Sequence, residues 1–203
     1  MRIVLSLLSL TILAGLLLTS PARADGHAQG EAPKRFLLVG WVAETSGALK
    51  ADQTGLNRPL HKGSAIVFKD TISVGPDGMA TIMFKDGTRL LLEANSMMRV
   101  DQMSFGAGHD GATISLSEGT FRLEPGRIAS QTKGRVIVQT PAAMVHAQGP
   151  VYINHRGGLS TIKLTGKGLA HVTSAQGETR LTTPDSEARA SVDPLEAQKV
   201  STL

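Results

Sequence analysis

The chain has 203 residues, of which 41% are hydrophobic and 3% aromatic, and its formal charge is +4. It contains no cysteine, which excludes disulfides, thiol nucleophiles, zinc knuckles and iron–sulfur sites. Its length allows one ordinary domain or two very small ones. Its basic residues are scattered singly, with Lys34-Arg35 the one adjacent pair, so there is no electrostatic case for binding nucleic acid.

Residues 1–24 have the pattern of a bacterial secretory signal peptide. A short basic start precedes an apolar run over residues 3–18, and Pro21 stands just before a small-x-small site that ends at Ala24. We predict cleavage between Ala24 and Asp25. The alternative is a retained membrane anchor, because the run is only slightly shorter than the roughly 20 residues that a bilayer requires. Cleavage would leave 179 residues with 19 basic and 17 acidic side chains, periplasmic or secreted and without a membrane span.

The remaining chain divides by composition. Residues 25–35 are polar and without periodicity, which predicts a flexible spacer. From residue 36 onward, short apolar runs alternate with polar residues at a period of two, and turns rich in glycine interrupt them. We predict a β-domain over residues 36–153, a β extension of the same domain over residues 154–182, and a polar C-terminal tail over residues 183–203.

The predicted fold class is all-β. Frequent turns between short strands favour an antiparallel β-sandwich or jelly-roll-like domain, with a rolled, solenoid-like sheet as the alternative. One short helical turn is predicted near the C-terminus, over residues 195–199. Trp41, between Gly40 and Val42 in the first apolar run, is predicted to be a core residue.

Aspartates carry the clearest local signals. Asp77-Gly78, Asp86-Gly87 and Asp110-Gly111 are interpreted as turns and not as calcium loops, because each aspartate stands alone and a calcium loop needs several oxygen ligands at alternate positions. Asp70 has no glycine beside it. We predict that its carboxylate accepts backbone N–H bonds at a bend, so that Asp70→Asn costs little and Asp70→Leu costs more than about 1 kcal/mol.

The order and spacing of these turns resemble the FecR family of bacterial periplasmic domains. The resemblance covers about two thirds of the cleaved chain, and its Asp-Gly turns, Asp-Gly-Thr hairpin and Thr-Pro segment follow the family's order. It implies protein–protein interaction or envelope sensing. The matching positions, which we interpret as structural turn residues, are Asp70, Gly75, Asp77, Gly78, Asp86, Gly87, Asn95, Ser96, Gly119, Thr140 and Pro141.

Two departures from the family pattern limit this transfer. Where the family usually carries Arg-Gly-Thr, this chain has Gln148-Gly149-Pro150, so any contact that the family makes through that stretch is not carried over. The best-known family members also regulate sigma factors through a cytoplasmic segment before a membrane helix. Only Met1-Arg2 precede the apolar run here, so we expect no such segment and do not transfer the anti-sigma role.

No pattern in the sequence predicts an enzyme, a cofactor or a metal site. A Gly-x-Ser-x-Gly elbow is missing. No two of the six histidines lie three or four residues apart, and we interpret them as isolated surface or strand-face side chains, although His155 and His171 could meet on neighbouring strands. The acidic residues cannot be paired from sequence.

The leading hypothesis is a non-catalytic, exported FecR-like domain that mediates protein–protein interaction or sensing in the cell envelope. The partner, an unknown envelope protein, would dock on a strand edge or on the loops over residues 106–111 and 125–134. A glycan- or peptidoglycan-binding module is the alternative, and it would require exposed aromatic side chains. A hydrolase is the third hypothesis, and it would require two acids in one cleft.

Overall fold

The computed structural model describes residues 37–106 and 110–192, which form sixteen strands and one short helix. The all-β prediction is confirmed. In chain order the elements are β1 Leu38–Ser46, β2 Leu49–Gln53, β3 Leu56–Pro59, β4 Ala65–Val67, β5 Thr71–Val74, β6 Met79–Phe84, β7 Arg89–Leu92, β8 Met97–Ser104, β9 Gly111–Glu124, α1 Arg127–Ser130, β10 Arg135–Gln139, β11 Ala143–Ala147, β12 Val151–Arg156, β13 Leu159–Leu164, β14 Ala170–Ser174, β15 Gly177–Leu181 and β16 Glu187–Ser191.

The strands form one continuous sheet with two sections that share β9. In the first section the order is β4-β1-β6-β7-β9-β12-β13-β16, and in the second it is β3-β2-β5-β8-β9-β10-β11-β14-β15. Every pairing is antiparallel except β9 with β10, which is parallel. The sheet is therefore mixed and not purely antiparallel, because the connection through α1 returns the chain to the start of β9 before β10 begins.

The long strand β9 passes from one section to the other at Gly119. Residues before Gly119 pair with β8 and β10, and those from Gly119 onward pair with β7 and β12. Gly119 has a φ of 97°, in the region that favours glycine. Ser96 fixes this bend, because its Oγ donates to Thr120 O and accepts from Thr120 N, both at 2.9 Å.

The two sections contribute to a single buried cluster. Alternation along each strand directs one face inward, as in β10, where Val136 and Val138 are buried while Arg135 is exposed. The largest buried side chains are Phe84 in the first section and Phe121 in β9. This core leaves the opposite face of each section available for polar side chains.

Three features differ from the predictions. β16 lies inside the predicted polar tail and pairs with β13, because Ala188 and Ala190 face inward with too little hydrophobic contrast to reveal a strand in the sequence. A single helical turn, α1, lies inside the predicted 125–134 loop and buries Ile128. Trp41 is 43% exposed and not a core residue, because alternation in β1 turns it outward between buried Gly40 and Val42.

Other predictions lie outside the described residues. They are the signal peptide over residues 1–24 with its Ala24–Asp25 cleavage site, the spacer over residues 25–35, and the helical turn over residues 195–199. The 107–109 part of the glycine-rich loop also lies outside them.

Asp70 lies at a bend between β4 and β5, where its buried carboxylate accepts a hydrogen bond of 2.9 Å from Val67 N, as predicted. Arg58 of β3 also contacts the carboxylate, and this ion pair was not predicted. Burial raises the pKa of the Asp70 carboxyl, while the Val67 N–H and the Arg58 guanidinium partly offset that effect. Keeping this charge buried is therefore costly, and the loss of charge in an asparagine would relieve part of that cost.

Asp70→Asn should therefore lower the free energy of unfolding by less than about 1 kcal/mol. Asp70→Leu should lower it by more than about 1 kcal/mol, because it strands the Val67 N–H and the Arg58 guanidinium. Urea unfolding of both variants at pH 7 measures the difference. Equal and negligible losses would show that the carboxylate has no role at the bend.

Candidate functional site

The outward face of the second section carries a row of side chains that are polar except for one isoleucine. Strand pairing places the members of this row next to one another across six neighbouring strands, from β8 to β15. In order, the row is Gln102, Thr113, Ile137, His146, His171 and Arg180. Because paired residues in a sheet share a face, widely separated parts of the chain contribute to this one surface.

A cleft of about 660 Å³ lies over part of this row. Thr113, Ile137 and His146 are on the sheet below it, and residues 132–134 from the connection between α1 and β10 contribute a wall. Lys133 and Arg135 add two exposed cationic side chains. The cleft is therefore a depression with a mixed polar and apolar lining and with positive charge at one side.

Asp110 holds the wall of the cleft in place. Its buried carboxylate accepts hydrogen bonds from Gly106 N at 2.8 Å and from Gln131 Nε2 at 2.7 Å. Its backbone oxygen accepts a further bond from Arg135 N at 3.3 Å. The Asp110-Gly111 pair was interpreted as a simple turn, but this aspartate joins the start of β9 to the residues before β10.

His146 is half-buried at the floor of the cleft, and its Nε2 atom is buried with no hydrogen-bond partner in the described chain. Burial lowers the pKa of this imidazole, and the nearby Arg135 and His171 lower it further. The ring is therefore mainly neutral at pH 7. Its cross-strand neighbour is His171, whereas the pairing of His155 with His171 considered from sequence does not occur.

The family turn positions lie elsewhere and have structural contacts. Asp86 is fully buried, and its carboxylate accepts bonds from Thr88 N at 3.0 Å, Thr88 Oγ1 at 2.7 Å and Ile128 N at 3.4 Å. Thr88 Oγ1 accepts a bond of 2.9 Å from Gly126 N. The Asp86-Gly87-Thr88 hairpin therefore anchors the segment that contains α1. The sequence alone predicts only a local turn at this position.

The Thr-Pro segment also joins the two sections. Thr140 Oγ1 accepts a bond of 2.9 Å from Ala143 N and lies 2.7 Å from Ser160 Oγ, which in turn lies 2.8 Å from His155 Nδ1. Burial lowers the pKa of the His155 imidazole, with partial compensation from Glu118. His155 is a buried histidine of this network and not an isolated surface side chain.

The remaining predicted positions form the turn between β5 and β6 and its neighbour. Gly78 N donates to Gly75 O at 3.1 Å, and Asp77 between them is exposed. Asn95 N donates to the same Gly75 oxygen at 3.2 Å. Pro141 is an exposed turn residue after Thr140. None of these positions lines the large cleft. The loops predicted as docking surfaces, 106–111 and 125–134, supply Asp110, Gly111 and residues 132–134 to its lining, whereas the strand residues of the lining were not predicted.

Chemically, the described residues offer binding groups more than reactive ones. Each of the two described clefts contains one carboxylate, Asp110 in the larger and Glu124 in the smaller, so neither provides the acid pair that a glycosidase requires. No group of three or more histidine, aspartate or glutamate side chains could hold a metal ion within residues 37–106 and 110–192.

The smaller cleft, of about 260 Å³, contains the departure from the family pattern. The stretch Gln148-Gly149-Pro150 lines it together with residues in α1 and just before it. Gln148 N donates to Leu169 O and Pro150 O accepts from Thr165 N, both at 2.8 Å. In this chain the stretch thus supports the connection from β13 to β14, which leads from one section of the sheet to the other.

The strands together define an all-β domain built on a mixed sheet. Residues 70–167 match the model of a family described as FecR protein. This part of the chain is a FecR-like domain, which confirms the resemblance seen in the order of the turns. No curated protein matches the chain.

Solved structures share the fold. Two crystal structures of a "putative anti-sigma factor" from Parabacteroides distasonis ATCC 8503, at 2.50 and 1.65 Å resolution, each match with a TM-score of 0.50 and 20% identity. Each match covers 61% of this chain, and they cover 55% and 56% of the other chain. This chain thus matches little more than half the length of that protein, and at this identity the likeness concerns the fold alone.

Proposed function

We propose that this chain is a non-catalytic, exported FecR-like domain that binds a protein partner in the cell envelope and takes part in sensing there. The observation that carries the proposal is the exposed edge of β15. FecR domains are typically periplasmic, which supports an envelope location. Within the described residues, no helix has the length and hydrophobicity to cross a bilayer.

β15 is the last strand of the second section and pairs with β14 on one side only. Residues 177–180 are exposed, while Leu181 is buried and anchors the strand end. In the part of the chain that the structure describes, the backbone of β15 is hydrogen-bonded to β14 alone. Its outer N–H and C=O groups are therefore available to pair with an added strand.

The other edges of the sheet are less suited to strand addition. β4 has three residues, and its ends are engaged by Arg58, which donates to Ala65 O at 3.0 Å, and by Asp70, which accepts from Val67 N. In β16, Ser191 O accepts a bond of 2.9 Å from Gln176 Nε2. β3 is short and supplies Arg58 to the ion pair with Asp70. β15 therefore offers the edge with the fewest competing contacts.

A glycan-binding function has less support. Trp41 is exposed, as a sugar platform would require, but Tyr152 is half-buried with the Arg122 guanidinium 5.5 Å from its ring centroid. These two rings stand on β1 and β12, which are separated in the sheet by β6, β7 and β9. Trp41 and Tyr152 thus do not form a shared stacking surface.

Site-specific photocrosslinking tests the proposal. A photoreactive amino acid at Glu178 in β15 should give one discrete adduct with an envelope protein in the native bacterium, and an excess of the unlabelled chain should suppress it. The matched control carries the same group at Arg89, an exposed position on the first section. Equal adducts at both positions, or no saturable adduct at Glu178, would contradict docking at this edge.

A further inference from the structure

We propose that the large cleft on the second section binds a small phosphorylated ligand, with Arg135 and Lys133 pairing with the phosphate group. Hydroxyl and amide side chains of the cleft would hold the organic group that carries the phosphate. This site differs from the β15 edge proposed for the protein partner, so the two proposals can fail separately.

The charge distribution favours an anion. Lys133 and Arg135 have no ion-pair partner in the described chain. Asp110 is the one carboxylate in the lining, and its two oxygens accept bonds from Gly106 N and Gln131 Nε2. The carboxylate is directed into the wall, so the two cations give the cleft a positive local potential. The guanidinium of an arginine can also bind two phosphate oxygens through two parallel hydrogen bonds.

His146 adds a neutral donor at the floor. Its Nε2 is buried without a partner, and leaving a bare nitrogen there costs less than burying an unpaired N–H. The tautomer that carries the proton on Nδ1 avoids a buried, unpaired N–H group at Nε2. A neutral Nδ1–H group can donate to a phosphate oxygen without the cost of burying a third positive charge.

The size of the cleft indicates more than inorganic phosphate. Its volume of about 660 Å³ lies within the range of small-molecule sites, roughly 300–1,000 Å³, and far exceeds that of one phosphate ion. Thr113, Gln102 and Gln148 provide hydroxyl and amide groups around half-buried Ile137. Such a mixed lining suits a group of the size of a sugar, whose hydroxyls would form hydrogen bonds while its carbon atoms contact the apolar part of the cleft.

Titration of the purified full chain by calorimetry and by amide NMR tests this assignment. The probes are glucose 1-phosphate, inorganic phosphate, glucose, and vesicles of phosphatidylglycerol in phosphatidylcholine. We expect saturable binding of glucose 1-phosphate, weaker binding of inorganic phosphate and none of glucose, with shifts centred on Thr113 and His146. Preferential binding to the anionic vesicles would identify a lipid headgroup as the source of the phosphate.

Paired variants separate the site from general surface charge. Arg135→Gln should weaken binding of the phosphate probes about tenfold or more, because a charge-assisted bidentate contact is lost. Arg156→Gln removes the same charge from the exposed end of β12 and should leave binding unchanged. Equal effects of the two variants, with unchanged unfolding curves, would overturn the proposal. Absence of saturable binding to all phosphate-bearing probes would also overturn it.

Discussion

Asp86→Ala is expected to lower the free energy of unfolding by about 3 kcal/mol. The buried carboxylate accepts three hydrogen bonds, two from Thr88 and one from Ile128 N. Alanine removes the acceptor and leaves these donors buried without partners. The loss should also release the α1 segment, because Thr88 Oγ1, which receives the Gly126 N–H, loses its own acceptor.

Asp77→Ala is the matched control for Asp86→Ala. Asp77 also precedes a glycine in a turn between strands, but it is exposed. We expect a loss of about 0.5 kcal/mol or less. Urea unfolding followed by circular dichroism measures both variants. Similar losses would mean that Asp86 acts only through local turn chemistry and that its contacts with the α1 segment contribute little.

Gly119→Ala is expected to destabilise the domain by at least about 3 kcal/mol, because it combines backbone strain with overlap. A Cβ at Gly119 would lie 2.7 Å from Asn95 O and closer still to Ser96 Cα and Oγ. Relieving that overlap would displace Ser96 and break its two bonds with Thr120. We therefore expect the variant to lose the bend through which β9 passes between sections.

Gly87→Ala separates the effect of backbone strain from the effect of steric overlap. Gly87 has a φ of 88°, close to the value at Gly119, but a Cβ there would meet no atom within 4 Å. Gly87→Ala should lower the free energy of unfolding by about 1 kcal/mol, the part that comes from the backbone conformation alone. Thermal and urea unfolding of both variants provide the comparison. If Gly119→Ala cost no more than Gly87→Ala, close packing against Ser96 would have no energetic importance.

Local sequence signals predicted most of the strands. In β6, Ala80, Ile82 and Phe84 are buried at a period of two, as the alternation indicated, and the turns around Gly78 and Gly87 lie where their composition placed them. The signal was weaker for β16, whose inward residues are alanines, and for α1, which is too short to show a helical period. The sequence therefore predicted the elements that are long enough and that show a strong contrast between hydrophobic and polar positions.

The candidate sites depended on information that no local pattern contains. His146 and His171 are 25 positions apart and become neighbours only through the register of β11 with β14. Arg135 and Thr113 approach through the parallel pairing of β9 with β10, which a chain of hairpins would not predict. Local hints were the loops 106–111 and 125–134, which were predicted as docking surfaces, and the Lys133-Gly134-Arg135 spacing, which places two cations at the start of a strand.

The passage of β9 through both sections also has a consequence for cooperativity. Because each half of β9 is a central strand of one section, neither section can lose its hydrogen bonds without exposing part of the other's core. Amide protons of β10 and β12 should accordingly exchange with solvent through the same global opening. A ligand that binds one section would slow that opening for both sections. Binding to one section could therefore be measured as slower amide hydrogen exchange in the other.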